Sequence, residues 1–362
     1  MSSVLPAYTA ADTRQALLAA GASGTIYALV MPESEAALRH VVERADFLDM
    51  YREAWTQKQD AMHLDYFATW IDWSARIVKF DPAAFPCRYP TAGASEGIYK
   101  LMADTVAARR AVGEEPSIHL FEGDYEGFPA FAEALVVPVV RHQRRDWASV
   151  AERIAPGGQF WISQPSAIDG MVWPHFAAFA GVLARERPDV ELIPDLTYVG
   201  SVGRAFEVAV DLPNMPAFVF SHSKPFGGYY HRVGGVFSRR ERGSLFGNVW
   251  FKNLLSLAWA TEMMRRHDVF ALPRKYRPVQ EEAVRRVAAA LDAPGLEAAD
   301  IMLMAIAPLT GGESNLLRTV RRGGEGEAVT RLCVTAAMAV LVDPAMAPAT
   351  APGLLARWDS PR

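Results

Sequence analysis

Ser221-His222-Ser223-Lys224-Pro225-Phe226-Gly227-Gly228-Tyr229-Tyr230-His231-Arg232-Val233-Gly234-Gly235 is the stretch whose reading decides the fold. It follows Ala217-Phe218-Val219-Phe220, an apolar run of strand type. Lys224 therefore stands just past a strand end, behind the hydroxyls of Ser221 and Ser223, with Arg232 further on. A lysine amine can capture an aldehyde cofactor covalently. Short hydroxyl donors and a planar guanidinium fork suit a phosphate. The stretch reads as a seat for a phosphorylated aldehyde on Lys224. Taken alone it reads about as well as a surface lysine in a Ser/Gly loop, so the decision falls to the rest of the chain.

Upstream, several more short apolar runs end in polar turns. Tyr89-Pro90-Thr91-Ala92-Gly93-Ala94-Ser95 is a small-residue turn opening a helix. Such a start offers unpaired N–H groups to an anion, with Gly93 allowing close approach and Ser95 adding a hydroxyl. Read blandly, Ser95 only caps its own helix. Ser117–Phe121 reads as a buried strand leading to Tyr125, which either lies on a planar ring or simply packs. Val136–Val140 is read as a strand, Asp146–Ile154 as a helix, and Phe160–Ser163 as a strand running into Gln164-Pro165-Ser166-Ala167-Ile168-Asp169-Gly170. Trp173–Arg185 has helical spacing, and Val190–Pro194 is a strand ending at Asp195 with Tyr198 beyond. Gly234–Ser238 closes the series as another strand. Strands of this kind alternating with helices predict an α/β fold with a mostly parallel sheet flanked by helices. Ligands of such sheets gather beyond the carboxyl ends of the strands, where Tyr125, Gln164, Asp195, Tyr198 and Lys224 all fall.

The flanks are less distinctive. Helices are expected over Asp12–Ala20, from Glu33 to about Asp60, over Val249–His267 and over Tyr276–Leu291, with Asp268–Pro273 as an interruption. The aromatic piece Tyr66–Trp73 reads as core or subunit interface. Ala299–Leu309 and Asn315–Val320 read as strands, and Val329–Val342 as strand then helix. A large domain over 56–265 and a smaller α+β domain from 1–55 and 266–362 are expected.

The chain has 362 residues, a net charge of −4 and two cysteines, Cys87 and Cys333. An acidic balance without a basic domain argues against a nucleic-acid partner. The clusters Arg141–Arg145, Arg239–Arg242 and Arg318–Arg322 read as solvated faces or loops. Two cysteines exclude a disulfide framework and a cysteine zinc site, and no metal is expected. The absence of a signal-peptide pattern and of a membrane-length apolar run makes a cytoplasmic protein, with no membrane partner, the expectation.

From about Tyr89 to Arg331 the sequence resembles the fold-type I pyridoxal-phosphate enzymes, the aspartate aminotransferase superfamily, class I/II aminotransferase-like. Ser221-x-Ser223-Lys224 with Arg232 resembles the family's Schiff-base lysine and its phosphate-binding serine and arginine. Gly93-Ala94-Ser95 resembles the phosphate-cradling helix start, and Tyr125 the aromatic stacked on the pyridine. Asp195-x-x-Tyr198 resembles the pair that holds the ring nitrogen and the ring phenolate. Arg331 resembles the arginine that grips the substrate α-carboxylate, with Arg318 a nearby competitor. The resemblance implies pyridoxal 5'-phosphate as cofactor, an amino-acid substrate, a keto-acid acceptor and a homodimer.

One departure stands out. Where the family has Asn-Pro-x-Asn-Pro-x-Gly, this chain has Gln164-Pro165-Ser166-Ala167-Ile168-Asp169-Gly170. Ala167 takes the place of the asparagine that bonds the cofactor's ring oxygen O3′. Either Tyr198 acts alone there, or Gln164 or Ser166 substitutes. Transamination, with Lys224 as the proton shuttle, is the first expectation. A lyase or decarboxylase on an unusual amino acid is the alternative, and a non-catalytic cofactor-binding module comes third.

Overall fold

The computed structural model describes residues 11–56, 61–250, 253–309, 315–324 and 326–346. In chain order its strands are β1 Val78–Lys79, β2 Cys87–Thr91, β3 Ile118–Phe121, β4 Val139–His142, β5 Gln159–Ser163, β6 Glu191–Asp195, β7 Val208–Ala209, β8 Ala217–Ser221 and β9 Gly234–Ser238. They are followed by β10 Glu297–Ala298, β11 Met304–Pro308, β12 Arg321–Arg322 and β13 Val329–Cys333. A seven-stranded sheet has the order β2-β9-β8-β6-β5-β3-β4. From β8 to β4 every pair is parallel, and β9 runs antiparallel to both β8 and β2. The fold is α/β, as the alternation of short strands and helices predicts.

Side-chain alternation along β8 explains why both faces of the sheet are covered. Phe218 and Phe220 point into the larger core cluster, where helix Ala61–Ser74 packs its aromatic stripe. Trp70 of that helix stacks on Phe220 with ring centroids 4.3 Å apart. Ala217 and Val219 point the other way, into the cluster built on Ile98, Leu101 and Met102 of helix Ala94–Ala111. The Tyr66–Trp73 piece is therefore core.

A second, antiparallel sheet has the order β10-β11-β13-β12, with helices Ala271–Ala290 and Thr335–Val342 beside it in the chain. The N-terminal arm joins it: Ser23 and Cys333 exchange backbone hydrogen bonds of 3.0 and 2.8 Å. The arm then crosses the loop after Lys224 so closely that a Cβ at Gly227 would run into Leu29 O. Among the described residues no helix is long and apolar enough to cross a membrane.

Several element boundaries differ from expectation. Asn315–Thr319 is a helical turn rather than a strand; only Arg321–Arg322 pairs with β13. The single helix expected from Glu33 is two, Pro32–Glu43 and Phe47–Glu53, broken at extended Arg44; residues 57–60 lie outside the described set. Val249–His267 resolves into a 3-10 stretch, Gly243–Val249, and the helix Leu254–Arg266, capped by the Asn253 side chain on Ser256 N. The last long helix starts at Ala271, earlier than expected, because Pro273 lies in the first turn, where no N–H is needed. Residues 144–153 are a 3-10 stretch, and β4 starts at Val139, since Val136 has a positive φ of 56°.

Trp70 is 1% exposed and sits on the strand that leads to Lys224. Trp70→Ala is expected to cost about 3–5 kcal/mol of stability. Urea unfolding followed by far-UV circular dichroism checks this; a loss below roughly 1 kcal/mol would place Trp70 outside the cooperative core.

Candidate active site

The carboxyl ends of the parallel strands bring the polar turns together. Thr91 of β2 and Ser221 of β8 both register against Gly234 of β9. A Cβ on Gly234 would meet Phe220 O, and would lie 3.1 Å from Gly93 Cα and Ser221 Cα. Only glycine allows the three turns to close on one point. Gly93 opens helix Ala94–Ala111 with φ +83° and no side-chain cap, leaving the helix start for an anion. Arg232, itself left-handed at φ 48°, swings its guanidinium over Gly93, where a Cβ would stand 3.0 Å from Nη2. Its Nη2 donates to Ala92 O at 2.7 Å. Ser223 N donates to Ser221 Oγ, which donates to Ser223 Oγ at 3.0 Å. Ser95 Oγ lies 3.1 Å from the Tyr125 hydroxyl. Gly93, Ser221 and Arg232 thus meet around Gly234, with Ser223 bonded to Ser221.

Lys224 follows Ser223. Its Nζ donates to Ile26 O of the N-terminal arm. Burial pushes its amine down to about 8, with Arg331 and Arg232 adding to the fall and Cys333 and Glu126 opposing it. Nζ opens on a cavity of about 530 Å³ that Tyr125, Ala167, Tyr198 and Arg331 also line. Gly127 makes room for the Tyr125 ring: a Cβ there would strike the ring edge.

Asp195, at the end of β6, is 4% exposed. Its Oδ1 accepts from Thr197 N at 2.9 Å and Thr197 Oγ1 at 2.5 Å. Its Oδ2 makes no hydrogen bond among the described residues. Burial pushes the carboxyl up to about 7, against the two Thr197 bonds, and the neighbouring Asp124 adds to the rise. A half-satisfied carboxylate in such a place calls for a cationic N–H. Tyr198 is held well above the usual phenol range by burial, with Arg331 pulling the other way.

The turn after β5 decides between the candidates for the missing asparagine. Gln164 spends its amide on Trp173, donating to Trp173 O at 3.1 Å and accepting from Trp173 N at 3.2 Å. Ser166 Oγ accepts from Arg144 Nη1 and Ile168 N. Neither lines the cavity, and the Gln164 amide braces its own turn. Of the alternatives, only Tyr198 faces the cavity.

Arg331 lies on β13, buried at 2% exposure, and Arg318 does not line the cavity. Arg331 Nη1 donates to Ala167 O and Nη2 to Gly24 O at 3.2 Å, so its plane is fixed by two carbonyls from opposite walls. Burial lowers its pKa to about 10, with Arg322 adding to the fall. Beside it stands Glu126, hydrogen-bonded to Arg322 and 3.8 Å from Arg331 Nη2. Burial raises Glu126, but Arg331 and Arg322 outweigh it and hold the carboxyl below its usual value.

Sequence reading missed Glu126, Arg322 and Asp124. Glu126 sits one residue past Tyr125 and was within reach; Arg322 was assigned to a solvated cluster. In the other two clusters, Arg242 is 1% exposed with Asp104 as partner, and Arg144 pairs with Asp169 at 2.6 Å. The loop of Glu126 and that of Arg322 touch where both are glycine, since a Cβ on Gly123 would overlap Gly323 N.

No family model and no curated protein matches the chain. Solved structures do match in fold. A protein from Escherichia coli whose structure and reactivity identify a methionine aminotransferase function is 15% identical, with a TM-score of 0.67 over 94% of this chain and 98% of that one. The pyridoxal-phosphate-bound C-S lyase from Staphylococcus hominis is 12% identical, with a TM-score of 0.59 over 89% and 88%. An aminotransferase from Staphylococcus aureus is 12% identical, with a TM-score of 0.59 over 92% and 93%. The chain thus has the fold of the fold-type I pyridoxal-phosphate enzymes.

A carboxyl raised from 3.8 to about 7 on folding favours the folded state below its unfolded pKa, and that contribution is lost as the pH rises through about 7. In cofactor-free protein, Asp195→Asn is therefore expected to gain stability over the parent between about pH 4 and about pH 8. Urea midpoints across that range test it; a difference that does not change with pH would reject the raised carboxyl.

Proposed function

We propose that the chain is a pyridoxal-phosphate-dependent enzyme acting on an amino acid, with transamination as its reaction. The observation that carries this reading is that a half-buried, low-pKa lysine, a serine and arginine turn beside a helix start, and a half-satisfied carboxylate all lie at the carboxyl ends of the strands. In this reading the large domain spans 56–265, and 1–55 with 266–362 form the small one. Exposed Tyr229, Tyr230, Phe246 and Trp250 support a homodimer.

The residues present fit the cofactor. Gly93, Ala94, Ser95, Ser221, Ser223 and Arg232 would hold its phosphate, Tyr125 its ring face, Asp195 its ring nitrogen and Tyr198 its phenolic oxygen. When bound, pyridoxal phosphate supplies a sink for the electron pair left at the substrate Cα. Everything else comes from the chain. Asp195 Oδ2 has the free lone pairs to keep a ring N–H in place. Arg331 is oriented to take the substrate α-carboxylate and so to fix which Cα bond faces the ring. Lys224, with its pKa near 8, is partly neutral at physiological pH and can accept the Cα proton at Nζ and return it. The N-terminal arm over Ile26 limits water at that amine.

The purified protein mixed with pyridoxal phosphate is expected to show a visible absorbance band that Lys224→Ala abolishes. Amino acids are then expected to bleach the band, and a keto acid to restore it. A parent protein without the band would end the cofactor reading. Ammonia or carbon dioxide released with no amino acceptor present would replace transamination by the lyase or decarboxylase reading.

A further inference from the structure

Arg331 can read a carboxylate only while its guanidinium plane is held in place. Its Nη1 donates to Ala167 O and its Nη2 to Gly24 O, while its buried Nε makes no hydrogen bond among the described residues. Alanine offers only its backbone oxygen. The aim of Arg331 is therefore no better fixed than the turn that carries Ala167. Ser166, Ala167 and Ile168 are buried there, and Ser163 Oγ accepts from Ala167 N at 2.7 Å on the inner side.

The outer side is held by Arg144. It stands just after β4, does not line the cavity, and has a side chain only 13% exposed. Its Nη1 donates to Ser166 Oγ at 3.2 Å and its Nη2 to Asp169 Oδ2 at 2.6 Å, so it grips the turn on both sides of Ala167. Ser166 Oγ passes the hold on by accepting from Ile168 N at 3.1 Å, and Asp169 Oδ1 by accepting from Met171 N at 3.1 Å. The third edge of the same guanidinium, Nε, lies 3.7 Å from Glu327 Oε2. Glu327 belongs to the hairpin between β12 and β13, and it also accepts from Arg145 N. Gly324 of that hairpin passes Gln143 so closely that a Cβ would strike the Gln143 amide. One side chain thus ties the turn of Ala167 O to the hairpin that leads into the strand of Arg331.

The arrangement needs a guanidinium. An ammonium is a point charge and cannot serve three acceptors around one plane. Without Arg144, the Asp169 and Glu327 carboxylates would face one another, and their repulsion would part the turn from the hairpin. The loss would fall on the bond between Ala167 and Arg331. Lys224 and Asp195 stand on other strand ends. We propose that Arg144 is a positioning residue for the substrate α-carboxylate: it never touches the substrate and acts through Ala167 O on Arg331. The proposal rests on the amino-acid reading above, and its test separates the two.

The test follows the visible band of the cofactor-loaded protein against two matched series. One is the straight-chain L-amino acids from alanine to norleucine; the other is the primary amines from ethylamine to pentylamine, which lack only the carboxylate. In the parent, the best amino acid is expected to perturb the band at a concentration about a hundredfold below that of its matched amine. Arg144→Gln is expected to keep the band and the amine response while losing about tenfold of this preference, and Arg144→Lys to lose less. Asp169→Asn, a milder change at the same contact, is expected to lose part of it, and it decides the matter together with Arg144→Lys if Arg144→Gln does not fold. In an Arg331→Gln background, Arg144→Gln is expected to change nothing further. An unchanged preference in these variants overturns the proposal, as does an equal weakening of amine and amino acid, the mark of a merely structural role. A parent with no band, or with no amino acid preferred over its amine, overturns the amino-acid reading and the proposal with it; a preference present in the parent and intact in the variants defeats this inference alone.

Discussion

Holding the Lys224 amine out of bulk water is the constraint on which the site depends. A lysine three residues past a strand would normally reach solvent and stay charged. Here a backbone carbonyl of the N-terminal arm, Ile26 O, accepts a hydrogen bond from it, and the arm crosses the loop that carries it. Burial then brings the amine close to neutrality, the state in which nitrogen acts as nucleophile and base. The same burial raises Asp195 and depresses Arg331.

The glycines do complementary work. At Gly93 and Gly234 a side chain would fill the space where three turns approach. The antiparallel strand β9 matters for this reason. It pairs with β8 and β2 at once and brings Ser221 and Thr91 to the same residue of register. Their meeting is thus a property of strand order as much as of the residues in it.

Much of this was legible in the sequence because it is local. Lys224, Asp195 and Tyr125 each lie just after an apolar run, and a run plus a turn places a residue at a strand end; Gly93 was legible as the small-residue turn that opens a helix. The α/β class followed from the same alternation. What was not legible depends on distant parts of the chain meeting. Nothing in Arg318–Arg322 distinguishes a solvated cluster from a cavity wall until β12 pairs with β13. Gln164 looked chemically able to replace an asparagine, but its amide is turned onto Trp173. Asn315–Thr319 misled because its leucines and threonine suit a strand as well as a turn of helix.

The reciprocal backbone bonds between Ser23 and Cys333 carry a consequence for biogenesis. The segment that shields the lysine is synthesised well before its anchor on β13. Until that anchor emerges, the nascent large sheet has its reactive amine uncovered. The pocket is therefore completed only once β13 has been made, however early the sheet itself forms.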